Sequence, residues 1–124
     1  MTAHLSTGVD LVEVERLQSA IERHGDRLLQ RVFTPRELAD CGCHPPSLAA
    51  RFAAKEAVSK ALGTGIGAVT WHEIEILRGP SRRPILHLHG EAQRLAESLG
   101  LTAWSISLSH THQHAIALVV ASGE

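Results

Sequence analysis

Apolar positions recur along this chain with two different periods, and the change of period marks out its elements. A short strand is expected near His4 to Val9, after which Leu11, Val14, Leu17, Ile21 and Leu28 recur at helical spacing, interrupted by Gly25; this predicts two helices. Thr34-Pro35-Arg36-Glu37 supplies a cap residue, a proline at the first helical position and a carboxylate in the first turn, so a short helix starts there and ends near Gly42. The stretch CGCHPPS reads as a turn. Ser47 is expected to cap a longer helix running to about Leu62, with Gly63 as its stop. Farther on, His72 to Leu77, Ile85 to His89 and Trp104 to His110 alternate polar and apolar residues, and Ala115 to Ala121 is almost continuously apolar. Four strands are expected there. Between the second and third, Ala92, Leu95, Ala96 and Leu99 form a helical stripe closed by Gly100, and the last two strands are close enough to make an antiparallel hairpin turning at Thr111 to Gln113. The order is mixed α+β.

Composition narrows what such a chain does. Its 124 residues, 44% of them apolar, suit one domain spanning 1–124 with a single core. A net charge of −1 and a pI near 6.7 argue against a general nucleic-acid or membrane binder, so any charged surface must be local. No stretch approaches the ~18 apolar residues of a membrane span. Cys41 and Cys43 lie too close together to close a useful loop and the N-terminus lacks a long apolar segment, which together predict a cytoplasmic protein.

The candidate chemistry concentrates in RFAAKEAVSKALGTGIG, residues 51–67, which holds both lysines of the chain. Ala50, Ala54, Ala57 and Ala61 fall within about 60° of one another at ~100° per residue, a side able to pack very close to a neighbour. The remaining arc mixes Arg51, Lys55, Glu56, Ser59 and Lys60 with Leu48, Phe52 and Leu62. One reading is a surface helix with a Glu56–Lys60 pair at i, i+4. The other is an anion site, because an ammonium meets a phosphate oxygen as a mobile point charge and the glycine-rich loop Gly63 to Gly67 offers backbone N–H groups to an anion. Cations beside a carboxylate suit a phosphate bound with a divalent metal, which calls for a second carboxylate. Asp10 is the candidate, although at a strand-to-helix junction it would also serve as an N-cap.

GVDLVEVERL, FTPRELADC, RFAAKEAVSKALGTGI and SISLSHTHQHAIALVV resemble the holo-acyl-carrier-protein synthases, short bacterial 4′-phosphopantetheinyl transferases, over nearly the whole chain. The resemblance implies an α+β fold with an antiparallel sheet and one long central helix, assembled as a homotrimer with active sites at subunit boundaries. It also implies the reaction, a magnesium-dependent transfer of phosphopantetheine from coenzyme A to a serine of apo acyl carrier protein. By the same resemblance Asp10 and Glu56 are the metal ligands, and Lys60, Gly63 and Thr64 meet coenzyme A. Arg51 and Lys55 match cationic nucleotide or phosphate contacts. Pro84 lines the nucleotide pocket from a neighbouring subunit, and His110 lies beside the coenzyme A phosphates. For deprotonating the serine, His110, Glu56 or a water remain open, with phosphate contact the favoured role of His110.

Acyl carrier proteins are acidic, which gives a use to arginines opposite the first apolar stripe. Arg16 is implied by the resemblance as a docking charge, whereas Arg23 and Arg27, with Arg31 nearby, rest on helical geometry. Two other classes compete. A zinc module would use Cys41-x-Cys43-His44 with His110, His112 and His114. A non-catalytic nucleotide-phosphate binder would keep the lysines and the glycine loop but have no need of Asp10.

Overall fold

The first strand runs farther than its apolar pattern implies. In the computed structural model, which describes residues 4–124, β1 (His4–Glu13) pairs residue for residue with the last strand, from His4 opposite Gly123 to Glu13 opposite His114. Leu11, expected to open a helix, is therefore in the strand and points outward. Asp10 is a strand residue too and caps nothing; the residue preceding α1 (Val14–His24) is Glu13, whose side chain makes no capping bond. Strand pairing along ten residues outweighs the weak local preference of that segment for a helix.

Gly25, at φ 59° and ψ −143°, separates α1 from α2 (Asp26–Val32), and α3 (Pro35–Cys41) begins with a complete capping box between Thr34 and Glu37. The central helix α4 (Pro45–Ala61) starts three residues earlier than expected, with His44 rather than Ser47 at the cap position. Ser47 lies inside its first turn, where its hydroxyl bonds His44 Nδ1 at 2.8 Å rather than capping the helix. There follow β2 (Ile74–Arg78), β3 (Pro84–Leu88), α5 (Gly90–Ser98), β4 (Ala103–His110) and β5 (His114–Gly123). His72 falls in a single 3-10 turn, Trp71–Glu73, ahead of β2. The expected last hairpin is present, and Thr111 Oγ1 accepts from the backbone N–H groups of Gln113 and His114 to close it.

The strands form two antiparallel sheets, one of order β1-β5-β4 and a β2-β3 hairpin. Helix α4 fills the space between them. From Leu48 to Ala61 only Phe52 and Glu56 are half-buried and only Lys60 is exposed, so the surface-helix reading of this segment is wrong. The helix places Ala53, Ala57 and Val58 in one core cluster with Ile74, Ile76 and Val119, and Leu48 and Ala49 of its first turns in another with Val14, Phe33 and Ala115. The closest approach is at Gly8, where an added Cβ would lie 1.8 Å from the Ala57 carbonyl oxygen. Backbone here touches backbone, and Ser6 reinforces the contact by donating its hydroxyl to Ala61 O.

Gly8→Ala should therefore destabilise by at least ~2 kcal/mol, since a rigid main chain rather than a flexible side chain opposes the methyl group. A thermal unfolding midpoint within a degree of wild type would contradict this packing.

Candidate active site

Helical periodicity divides the functional side chains of α4 between two faces. Phe52, Glu56 and Lys60 recur at i, i+4 and i+8 on one; Ser47, Ala50 and Arg51 recur at i, i+3 and i+4 on another. Each face lines a separate cavity.

The first cavity, about 620 Å³, lies where the end of β1 meets α1, and Asp10, Glu13, Arg16, Phe52, Glu56 and His114 are on its wall. Lys60 bridges β1 beside it, with Nζ 3.1 Å from Asp10 Oδ1 and 2.9 Å from Val9 O. Glu56 holds its proton more tightly than an ordinary carboxylate, first because it is partly buried and second because Asp10 carries like charge nearby; Lys60 offsets this in part. Two carboxylates side by side at an open cavity are a donor set suited to a hard divalent cation completed by phosphate oxygens and water. Among the described residues there is no group of three or more His, Cys, Asp or Glu that could hold a metal by itself. That removes the zinc-module alternative, in which Cys41 and Cys43 would converge: Cys41 is buried and Cys43 exposed.

The second cavity, about 580 Å³, is lined by Arg51, Pro84 and His110, together with Arg78, Arg82 and Arg83, and no carboxylate lines it. Arg51 is only 8% exposed, and its Nε is buried with no hydrogen-bond partner. An unpaired buried guanidinium N–H is costly, so an anion in this cavity would relieve the site. Residues 78, 82 and 83 were not singled out from sequence, though three arginines within six residues beside Pro84 are a signal. The His110 ring meets the His44 ring edge-on at 6.0 Å.

Lys55 belongs to neither cavity, and its assignment to coenzyme A is corrected here. Its ammonium is fully buried and its three protons are used: Glu37 Oε1 at 2.8 Å, Trp71 O at 2.8 Å and Ile74 O at 2.6 Å. Glu37 also accepts from the backbone N–H groups of Thr34 and Ile76, and Thr34 Oγ1 donates to Glu75. Burial pushes the Lys55 pKa down, with Glu37 opposing. The glycine loop is corrected as an anion cradle as well, because Gly63 N–H bonds Lys60 O while Thr64 and Gly65 N–H both bond Ser59 O. These groups finish the helix; Thr64 retains only its hydroxyl, which bonds Gly65 O, as a polar side-chain group.

Of the docking arginines, Arg16 lines the carboxylate cavity and lies 3.8 Å from Glu13, both well exposed. Arg23 and Arg27 are exposed on different helices, so the shared helical phase that aligned them is broken at Gly25.

The family model for the 4′-phosphopantetheinyl transferase superfamily matches residues 6–119. Holo-[acyl-carrier-protein] synthase from Herpetosiphon aurantiacus is 48% identical over 126 residues, covering 96% of this chain and 99% of that protein. The Moorella thermoacetica protein of the same name is 51% identical over 119 residues, covering 94% and 92%. The Helicobacter pylori holo-[acyl-carrier-protein] synthase, solved in complex with coenzyme A, superposes with a TM-score of 0.85 at 33% identity, covering 93% of this chain and 98% of that one.

Lys55→Met alone should cost ~3–5 kcal/mol by leaving Glu37 charged and buried, whereas Lys55→Met with Glu37→Gln should recover at least half of that. The folded chain binds fewer protons at Lys55 than the unfolded chain between the depressed pKa and the usual 10.5. Stability of wild type relative to the double variant should therefore rise with pH through that window. Denaturant unfolding at several alkaline pH values measures both, and a pH-independent difference would count against the buried pair.

Proposed function

Because the chain belongs to the 4′-phosphopantetheinyl transferase superfamily, among its holo-[acyl-carrier-protein] synthases, we propose that it moves 4′-phosphopantetheine from coenzyme A to a serine of an apo acyl carrier protein. The observation that carries this reading in the chain's own residues is Asp10 and Glu56 on the wall of one open cavity, with Lys60 beside it joined to Asp10 at 3.1 Å. The serine hydroxyl oxygen forms a bond to the β-phosphorus of coenzyme A, the bridging P–O bond breaks, and adenosine 3′,5′-bisphosphate leaves. Magnesium held by Asp10 and Glu56 would neutralise diphosphate charge. Lys60 has spent two N–H groups on Asp10 and Val9 and offers the third to a phosphate oxygen, stabilising charge on the departing group. Glu56, with its raised proton affinity, is suited to take the serine proton at a carboxylate oxygen. His110 stands among arginines in the other cavity, which favours phosphate contact as its role.

The two cavities suit halves of one site completed between copies of the chain. Asp10, Glu56 and Lys60 of one copy would meet Arg51, Pro84 and His110 of a neighbour, with Gly63 and Thr64 beside the nucleotide. The outer face of the larger sheet supports self-association: Leu5, Val9, Leu11, Ile116, Leu118 and Val120 are all exposed there, with Val9 opposite Leu118 and Leu11 opposite Ile116. A homotrimer is the assembly we propose. The acidic carrier would dock through Arg16, with Arg23 and Arg27 steering from farther out. Both cysteines are free, as a reducing cytoplasm leaves them, and no described helix is long and apolar enough to cross a membrane.

Mass spectrometry of an apo carrier protein incubated with the enzyme, coenzyme A and magnesium should record one added phosphopantetheine, and chelator should abolish the gain. Asp10→Asn and Glu56→Gln should each lower turnover at least ~10²-fold; a full-rate Asp10→Asn variant would leave the non-catalytic binder as the better reading. Mixing the impaired Asp10→Asn variant with a His110→Ala variant after partial unfolding and refolding should give more activity than the two variants sum to separately, since some boundaries then receive two intact halves. Mixtures that show no such gain while forming mixed oligomers would rule out the shared site.

A further inference from the structure

The turn that carries the arginines of the second cavity has an unfavourable backbone for the residues in it. Arg83 N–H bonds Pro80 O at 3.2 Å across a tight turn whose two central residues are both left-handed, Ser81 at φ 58° and ψ 28°, and Arg82 at φ 61°. Such hairpin turns favour Asn-Gly, because a Cβ is strained at positive φ. The neighbouring Arg83, at φ −73°, is under no such strain. Strain kept against an available glycine calls for a compensating use of the side chain.

Coenzyme A supplies that use, and the argument rests on reading this cavity as its nucleotide site. The diphosphate is served by Lys60 and the carboxylate cavity, which leaves the 3′-phosphomonoester as the remaining anionic group. The second cavity gathers four arginines with no carboxylate, in a chain of net charge −1, and the buried Arg51 Nε in it has no partner. We propose that Arg82 is a selectivity residue, held in a strained turn so that its guanidinium favours nucleotides bearing a 3′-phosphate over those lacking it.

Calorimetric titration of wild type, Arg82→Gly and Arg82→Lys with adenosine 3′,5′-bisphosphate and with AMP, at one ionic strength, tests this alongside thermal unfolding. Arg82→Gly should raise the unfolding midpoint by about 2–4 °C as the strain is removed. It should also weaken bisphosphate binding about tenfold, the scale of one charge-assisted hydrogen bond, while AMP affinity moves by less than about twofold. Arg82→Lys should retain most of the preference without the gain in midpoint. Equal loss for both nucleotides, or no loss for the bisphosphate, overturns the assignment. Wild type that modifies a carrier protein yet shows no 3′-phosphate preference refutes this inference alone. A preference that depends on residue 82, in a protein that modifies no carrier, refutes the transferase reading alone.

Discussion

The contact on which the site depends is the one between β1 and α4, where Gly8 lets the strand lie directly on the Ala57 carbonyl. Ser6 to Ala61 on one side of Gly8 and Lys60 to Val9 on the other tie strand and helix at successive points. With the two backbones held at that separation, Asp10 has little freedom to move relative to the Phe52, Glu56 and Lys60 face. The candidate site is thereby built on a strand and a helix rather than on loops, which holds its side chains more firmly. The alanines of α4 serve the same end, since any larger side chain would push the helix away from the strand that holds its partner carboxylate.

Burying α4 so completely has an electrostatic consequence. Lys55 enters the core and needs three acceptors, which α3, the turn before β2 and β2 itself provide through Glu37, Trp71 O and Ile74 O. An ammonium with three rotatable donors fits one carboxylate and two carbonyls in a way that a planar guanidinium does not, which accounts for lysine at this position. Lys60, five residues later and about 140° around the helix, reaches Asp10 at the edge of the cavity instead. The two lysines have the same chemistry and opposite employment, one joining α3 and β2 to the central helix and the other joining that helix to Asp10 of β1.

Charge is also divided in space. Nearly equal numbers of acids and bases cancel over the chain, yet the carboxylate cavity and the arginine cavity lie on different faces of one helix. Coenzyme A has the matching asymmetry, a metal-binding diphosphate at one end of the ribose and a separate phosphomonoester at the other. The separation keeps like-charged groups apart within a subunit, and in the proposed assembly a neighbouring copy would bring the complementary half to each.

The sequence by itself determined the class of fold, because hydrophobic period, proline and glycine placement and cap residues are local: the α3 capping box, the glycine stop after α4 and the final hairpin all lie where those signals place them. It determined Asp10, Glu56 and Lys60 of the candidate site as well, since the i, i+4 spacing of Glu56 and Lys60 and the motifs around all three are written in order along the chain. What tertiary structure alone decided was each residue's surroundings. Pairing with β5 carried β1 through Leu11 to Glu13 against its helical periodicity. Glu37, eighteen residues before Lys55 and legible only as a helix cap, became its buried counter-ion. The glycine loop, open in sequence, turned its N–H groups back onto the end of α4. Arg78, Arg82 and Arg83 came to face Arg51 only because the β2-β3 hairpin folds over the start of α4. Local propensity is set by neighbours along the chain, whereas burial, pairing and electrostatic company are set by neighbours across it.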